Sequence, residues 1–284
     1  MRDVDLADDD TGGMNTRTAQ NHADQTSERS GLGSVRKALD VLEFVAQSES
    51  SVGMSETARA LGLAKSTTYR LLTALRDRGY VRQMTSTGRY LIGVKAFEVG
   101  SGFLTQTDLR SASYPEMERL LQETEETVHL AVLDGFDVVY VEKIVSPRPF
   151  SVNSEVGRRS PAYCTAVGKA MLAQQDMASI DRWLQAPLPA LTLSTISDPA
   201  DLKRELANVR QAGFATDSEE SEVGLCCLAA PIFDHSGHVV AAIGIAAPKL
   251  RMVPSQDLYQ SQVLTSAQRI STLLGLPASA GRSS

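Results

Sequence analysis

The sequence contains little cysteine, and this shortage excludes several kinds of site. Three cysteines occur in 284 residues, at Cys164, Cys226 and Cys227, and no cysteine or histidine cluster has the spacing of a metal site. Neighbouring residues of a strand point to opposite faces, so we expect no disulfide between Cys226 and Cys227. The sequence therefore predicts no metal centre and gives no indication of a cofactor.

Long apolar runs are also missing. No segment approaches the roughly 20 apolar residues that a membrane-spanning helix requires. The first residues, MRDVDLADDDTGG, are acidic and lack the apolar core of a signal peptide. We therefore expect a protein of the cytoplasm that has no membrane partner.

Positive charge is scarce over the whole chain but not in one segment. The chain has 28 lysines and arginines against 34 acidic residues, a formal net charge of −6. Between Ser34 and Lys95, however, ten basic residues stand against five acidic ones, a local charge of +5 that leaves −11 for the remainder. A small basic module on an acidic body predicts a local binding face for a polyanion such as DNA.

The basic segment has the element order of a winged helix-turn-helix. An amphipathic pattern in VRKALDVLEFVAQ predicts a first helix, SETARALG predicts a short second helix, and KSTTYRLLTALRDRG predicts a third. The runs YVRQM and GRYLIG, with Gly88 in the turn between them, predict a β-hairpin wing. This order indicates a DNA-binding module.

The third helix divides into an apolar and a polar face. Thr68, Leu71, Leu72 and Leu75 fall on one face, which leaves short polar and basic side chains on the other. Such side chains read base edges in the major groove and bind phosphates. The candidate DNA-binding residues are Lys65, Ser66, Thr67, Tyr69 and Arg70 on this helix and Arg82 and Arg89 on the hairpin. A solvated charged face is the simpler alternative.

The rest of the chain predicts an α+β domain. Two pairs of strands, one in TVHLAVLDG and DVVYVEKIV and one in GLCCLAAPIFD and HVVAAIGIAAP, are mixed with helices, which favours an antiparallel sheet. A helix is expected to open at Pro115. The predicted organisation is a disordered acidic and polar tail (1–33), the winged helix-turn-helix (34–95), a linker helix (96–113) and a second domain (114–284).

Six stretches closely resemble one family. The stretches SVRKALDVLEFVA, MSETARALGLAKSTTYRLLTAL, RDRGYVRQ and TGRYLIG, followed by GRRSPAYCTAVGKAMLA and GFATDSEESEVGLCCLAAPIFD, are similar to the IclR family of bacterial transcription regulators. The resemblance covers residue 34 to about residue 275. It implies a winged helix-turn-helix, a linker helix and a GAF-like effector domain whose antiparallel sheet is flanked by helices. It also implies dimers or tetramers, a pseudo-palindromic operator on the nucleoid and a small-molecule effector.

The resemblance also implies an effector site. Backbone N–H groups of Ala166 and Val167 would bind a carboxylate or carbonyl oxygen, and Asp217 and Cys227 would be polar wall groups. The other implied lining residues are Val152, Ser160, Leu225, Gly244 and Ala246.

Two positions depart from the pattern of family members that bind small oxoacids. Those members carry hydroxyl residues where this chain has Gly244 and Ala246, which predicts a larger space without these two donors. Tyr163 stands where many members carry histidine. We therefore expect an organic acid bulkier and more apolar than glyoxylate, such as an aromatic acid or a lactone-derived acid.

Three other functions fit parts of the sequence. An enzyme could draw a nucleophile and a base from His129, Thr165, Lys169, Asp217 and Cys227, although no motif announces that chemistry. A redox-sensing regulator could use Cys226 or Cys227, although the acidic surroundings disfavour a reactive thiolate. An architectural DNA-binding protein would leave the second domain unexplained. Glu219 and Glu220 are expected to be solvated or to pair with a neighbouring subunit.

Overall fold

The computed structural model describes residues 33–106, 109–149, 152 and 154–277, with side chains omitted for 101–106. The predicted tail, except for its last residue, lies outside the described residues. The chain forms two compact units that divide between Phe103 and Leu104. The sequence placed the start of the second domain ten residues later, at residue 114.

The first unit is a three-helix module with a β-hairpin. Its elements are α1 (33–47), α2 (Met54–Ala60), α3 (Lys65–Asp77), β1 (Val81–Gln83), β2 (Tyr90–Ile92) and the start of α4 (Val94–Gln106). Strands β1 and β2 pair antiparallel, and Gly88 in the turn has a φ of +67°. The core of the unit consists of Val41, Val45, Val52, Leu72, Val81 and Tyr90. The winged helix-turn-helix prediction is confirmed.

Helix α3 begins at Lys65, the first residue of the predicted stretch KSTTYRLLTALRDRG. Ala64 is its N-cap, and Ser66 lies within its first turn. Thr68 and Leu72 are fully buried, as their spacing predicted. The Thr68 hydroxyl donates a hydrogen bond to the carbonyl oxygen of Ala64 at 3.2 Å, so this buried polar group has a partner.

The second unit is an α+β domain built on one antiparallel sheet, as predicted. In chain order its elements are α5 (Leu109–Thr124), β3 (Thr127–Asp134), β4 (Asp137–Ile144), β5 (Arg159–Pro161), a 3₁₀ turn (Ala162–Cys164), α6 (Ala166–Leu172), α7 (Met177–Trp183), α8 (Pro199–Ala212), β6 (Ala215–Ser218), β7 (Leu225–Phe233), β8 (Val239–Pro248), α9 (Lys249–Met252), a 3₁₀ turn (Val253–Ser255) and α10 (Gln256–Leu273). The strand order is β5-β4-β3-β8-β7-β6.

The sequence suggested that a helix begins at Pro115, but the structure places the start of helix α5 six residues earlier. It begins at Leu109 and contains Pro115 in its interior. Leu109, Ser113 and Met117 are all buried, so packing on both sides of the proline offsets the backbone hydrogen bond that proline removes. The segment assigned to a linker helix, 96–113, is therefore divided between α4 and α5, and residues 107–108 between them are outside the described residues.

The sheet is covered on both faces. One face packs against α5 and α10 in a large aliphatic core, and the other packs against α6 and α8. Cys226 belongs to the first face and Cys227 to the second, as alternation along β7 predicted.

Helix α6 is held close to the chain that precedes it. Thr165 is the N-cap, and its hydroxyl accepts the N–H of Gly168 at 3.2 Å. A Cβ atom added to Gly168 would lie 2.2 Å from the carbonyl oxygen of Ala162, so only glycine permits this approach. The packing positions the first residues of α6 over the sheet.

Candidate functional site

The polar face of α3 is on the surface of the first unit. Lys65, Ser66, Tyr69 and Arg70 are exposed, and Thr67 is half-buried. The Tyr69 side chain is 55% exposed although it is large and partly apolar. All five lie within the first two turns of α3, the part of a recognition helix that contacts base edges. The structure therefore brings the predicted helix residues together on one face.

The two hairpin candidates differ in their surroundings. Arg82 on β1 is exposed. Arg89 is instead bound within the protein: its Nε donates to the carbonyl oxygen of Ser51 at 2.8 Å, and its Nη2 contacts Glu56 Oε2 at 2.9 Å. The Gly53 N–H and Arg89 together lower the pKa of Glu56. Arg89 ties β2 to the start of α2, so the geometry favours a structural role over the predicted DNA contact.

The second unit contains a cavity of about 290 Å³ between the sheet and the start of α6. Every residue that the sequence assigned to the effector site lines this cavity. These nine residues are Val152, Ser160, Ala166, Val167, Asp217, Leu225, Cys227, Gly244 and Ala246.

The floor of the cavity is made of small side chains. Gly244 pairs with Ala229 across β8 and β7, and Ala246 pairs with Cys227. Alternate residues of a strand share a face, so these four positions form two adjacent rows beneath α6. Small residues at the centre of the sheet leave the space that a ligand body could fill.

Gly244 does not enlarge the cavity, contrary to the expectation from the sequence. A Cβ atom added there would lie 2.7 Å from the Cβ of Ala229 and 2.7 Å from the carbonyl oxygen of Leu228. The glycine instead permits β7 and β8 to approach closely. The absence of a side chain at Gly244 therefore adds no space to the cavity, because atoms of Ala229 and Leu228 already lie where a Cβ would be.

Asp217 organises one wall of the cavity. Its Oδ1 accepts the N–H of Glu220 at 2.7 Å, and its Oδ2 accepts the Ser221 hydroxyl at 2.5 Å. Asp217 is almost fully buried, and this burial raises the pKa of its carboxyl group. The carboxylate thereby shapes the turn in which Ser221 and Glu222 face the cavity.

Glu219 and Glu220 are paired within the domain, so the expectation that they are solvated or reach a neighbouring subunit is wrong. Glu220 Oε1 lies 2.6 Å from Nζ of Lys169, which is fully buried, and Glu205 Oε1 lies 3.1 Å from the same nitrogen. Glu219 pairs with Lys249 and accepts the N–H of Gly224 at 2.9 Å. Lys169 and Lys249 are 51 and 30 residues away from the glutamates that they pair with, so only the fold brings these charges together.

Tyr163 lies outside the residues that line the cavity. Its hydroxyl donates to the carbonyl oxygen of Pro189 at 2.7 Å, and its ring stacks on Phe136 with centroids 5.9 Å apart. The tyrosine therefore anchors the segment around Pro189, and its difference from the family pattern says nothing about the effector.

The sequence did not indicate that several polar residues of the cavity, among them His129 and Tyr140, belong to the binding site. His129 is buried on β3, and its Nε2 shares a hydrogen bond of 2.6 Å with Ser154 Oγ. Burial, with a smaller contribution from Lys143, lowers the pKa of His129 to about 3. Burial raises the pKa of Tyr140 on the neighbouring strand β4. The pairing of His129 with Gly244 would have indicated its place, but pairing depends on strand register.

The three thiols are in environments that suppress their reactivity. Burial raises the pKa of Cys164 to about 12 and raises the pKa of Cys226 and Cys227 as well. The nearby carboxyl group of Asp217 acts in the same direction. A reactive thiolate needs a lowered pKa, so the geometry disfavours redox sensing and thiol catalysis.

Within the described ranges, no group of acidic, histidine or cysteine residues could hold a metal ion. Across the same part of the chain, no helix is both long enough and apolar enough to cross a membrane.

Two family models match the chain. The model of the IclR helix-turn-helix domain matches residues 34–84, and the model of the bacterial transcriptional regulator IclR C-terminal domain matches residues 101–272. The chain belongs to the IclR family. It is therefore a transcriptional regulator with a helix-turn-helix DNA-binding domain and a C-terminal effector-binding domain.

Known IclR-family proteins align with almost the whole chain. The transcriptional repressor IclR of Escherichia coli K12 is 35% identical over 246 residues, which cover 85% of this chain and 90% of that protein. The crystal structure of the Thermotoga maritima IclR has a TM-score of 0.72 and 32% identity, and the match covers 86% of this chain and 99% of that chain. An IclR homolog from Microbacterium hydrocarbonoxydans, complexed with 4-hydroxybenzoate, has a TM-score of 0.78 and 26% identity over 85% of this chain and 98% of that chain. The relatives of this chain are transcriptional regulators rather than enzymes, so they do not support the enzyme alternative that the sequence left open.

Proposed function

We propose that this regulator binds a pseudo-palindromic operator through α3 and that an organic acid bulkier than glyoxylate, bound in the C-terminal cavity, changes its affinity for that operator. The observation that carries the proposal is that nine residues assigned from the sequence line a single cavity. Two of the relatives are named as repressors, so we propose that operator binding represses transcription on the nucleoid.

The proposed DNA contacts are those with accessible side chains. Basic groups would bind phosphates, and the hydroxyl and aromatic groups of α3 would face base edges in the major groove. The residues proposed are Lys65, Ser66, Thr67, Tyr69 and Arg70, with Arg82 from the wing. Arg89 is left out because Ser51 and Glu56 occupy its guanidinium.

The size and lining of the cavity support a bulky acid. A volume of about 290 Å³ is near the lower end of the range for small-molecule sites, ~300–1,000 Å³, and exceeds what a two-carbon acid fills. The first N–H groups of α6, at Ala166 and Val167, are suited to a carboxylate. The floor offers apolar contact for a ring or an aliphatic chain. The 4-hydroxybenzoate bound by a structural relative is an acid bulkier than glyoxylate.

Pairing of copies would present two α3 helices to the two halves of an operator. Exposed apolar side chains on α1 and α4 support such pairing, since surfaces of this kind are commonly buried between subunits. They are Val35, Leu39, Val94, Phe97 and Val99. We propose a dimer or tetramer in which the effector favours one arrangement of the subunits. That arrangement would change the spacing between the two α3 helices that contact DNA. For the domain limits we propose a tail up to the start of α1, a DNA-binding domain to residue 95 and an effector domain from residue 114, joined by a connection (96–113) to which α4 and α5 both contribute.

Fluorescence anisotropy of the full chain on DNA from upstream of its own gene, against scrambled DNA, tests the first half of the proposal. We expect specific binding that weakens as salt increases, and weaker specific binding by Arg70→Ala. Arg204→Ala, which removes an exposed arginine from α8 in the second unit, is the matched control and should bind as the unaltered chain does. Unchanged affinity in a folded Arg70→Ala variant would remove Arg70 from the interface. Titrating the acids described below into the complex tests the second half.

A further inference from the structure

Most of the polar side chains of the cavity fall into two groups separated by its floor. Asp217, Ser221 and Glu222 belong to β6 and the turn that follows it. His129 on β3, Tyr140 on β4, Ser160 on β5 and Ser154 form the second group, which we call the β3–β5 cluster. Strands β8 and β7 lie between β3 and β6, and they contribute only glycine, alanine, cysteine, leucine and isoleucine to the lining.

The β3–β5 cluster is held in place by its own contacts. The rings of His129 and Tyr140 are 5.2 Å apart between centroids, and Ser154 Oγ lies 2.6 Å from His129 Nε2. Lys143 fixes the segment that carries Ser154, because its Nζ donates to the carbonyl oxygens of Val152 at 2.9 Å and Ser154 at 2.6 Å. A side chain positioned in this way can discriminate between ligands, since little order has to be gained on binding.

The cluster is polar but uncharged near neutral pH. His129 has a pKa of about 3 and the pKa of Tyr140 is raised, so both side chains are neutral. Arg158 and Arg159, which also border the cavity, are exposed, and Arg159 is engaged by Asp134 at 2.6 Å and by Asp137. A neutral set of hydroxyl groups and an imidazole suits a neutral hydroxyl of a ligand, because a second carboxylate placed against these groups would lose hydration without meeting an opposite charge within the cluster.

We infer that the effector carries a neutral hydroxyl group in addition to its carboxyl group, and that Tyr140 and Ser160 read this hydroxyl while His129 and Ser154 form the wall beside them. The inference rests on the proposed function of the cavity. It assigns specificity to residues outside the α6 and β7 segments, which would bind the acid group and the apolar body. The ligand class is hydroxy acids, either aromatic or formed by opening a lactone ring.

The test uses two matched pairs of acids, in each of which a hydroxyl replaces a methyl group of similar size. The pairs are 4-hydroxybenzoate with 4-methylbenzoate, and 6-hydroxyhexanoate with heptanoate. Isothermal titration of the full chain should show that the hydroxy acid of at least one pair binds about 3- to 10-fold more tightly than its partner, the effect of one neutral hydrogen bond. In Tyr140→Phe this ratio should fall to within about twofold while the methyl acid still binds. Ser160→Ala should reduce the ratio in the same direction.

Tyr163→Phe is the matched control, because it removes the hydroxyl of a buried tyrosine that lies outside the cavity lining. Its preference ratio should equal that of the unaltered chain, and thermal unfolding verifies that each variant is folded. Binding of the acids without preference for the hydroxyl, or a preference that survives in Tyr140→Phe, overturns this inference and leaves the proposed function standing. Failure of all four acids to bind overturns the bulky-acid proposal, and this inference with it.

Discussion

Lys169→Met is expected to destabilise the C-terminal domain strongly, because Lys169 compensates a buried carboxylate. The Lys169 side chain is 1% exposed, and its Nζ lies 2.6 Å from Oε1 of Glu220, whose side chain is 7% exposed. The other oxygen, Oε2, is buried and has no hydrogen-bond partner in the portion of the chain that the structure describes. Removing the ammonium group leaves a buried carboxylate without the opposite charge that it contacts in the unaltered chain. Loss of one member of a buried ion pair costs about 3–5 kcal/mol.

The loss should depend on pH. Burial raises the pKa of Glu220 even though Lys169 opposes the effect. A carboxyl group whose pKa is higher in the folded state favours folding when it is protonated, so its contribution falls as the pH rises from its unfolded pKa through its folded pKa. Without Lys169 the folded pKa of Glu220 rises further. The variant should therefore lose most stability at pH 8 and less at pH 5, where a protonated carboxyl needs no counter-charge.

Thermal unfolding of the full chain, followed by circular dichroism, measures this effect. Each kcal/mol lowers the Tm of a domain of this size by about 2–4 °C, so we expect a decrease of roughly 6–20 °C at pH 8. The double variant Lys169→Met/Glu220→Leu should recover most of the loss, because an apolar pair replaces the unpaired charge. Lys203→Met, which breaks an exposed pair with Asp181, is the control and should cost at most about 1 kcal/mol. A Tm of Lys169→Met close to that of the unaltered chain at pH 8 would refute the reasoning.

Three further predictions concern other parts of the molecule. Arg89→Ala should lower the Tm of the DNA-binding domain, because it removes the contacts between β2 and the start of α2, whereas Arg82→Ala should leave the Tm unchanged and weaken DNA binding; equal melting curves for the two variants would contradict this. Gly244→Ala should destabilise the C-terminal domain by about 1–3 kcal/mol in denaturant unfolding, because the added Cβ crowds β7, and Ala246→Gly is the comparison on the same strand face. In the native chain Cys227 should react slowly with a thiol reagent at pH 8 and rapidly after unfolding, because burial raises its pKa; rapid labelling of the folded protein would revive the redox alternative.

Local patterns in the sequence predicted most of the elements correctly. The spacing of Thr68 and Leu72 indicated the buried face of α3, and both are fully buried. Gly88 marked the turn of the wing. Strands β5 and β6 were not predicted, because runs of three and four residues show no alternating pattern and, unlike β1 and β2, no short hairpin turn joins them to a predicted strand.

The sequence by itself determined the basic DNA-binding module, the alternation along β7 and, through its family motifs, nine of the residues that line the cavity. These features follow from the order and spacing of neighbouring residues, because the periodicity of a helix or a strand decides which residues lie on the same face of that element. Only the tertiary structure decided the partners of Arg89, Lys169 and Tyr163 and the tight packing at Gly244. Those outcomes depend on strand register and on groups at least 15 residues away in the chain, which no local sequence pattern predicts. The β3–β5 cluster has the same origin, because β3, β4 and β5 bring His129, Tyr140 and Ser160 to one side of the cavity only after the sheet has formed.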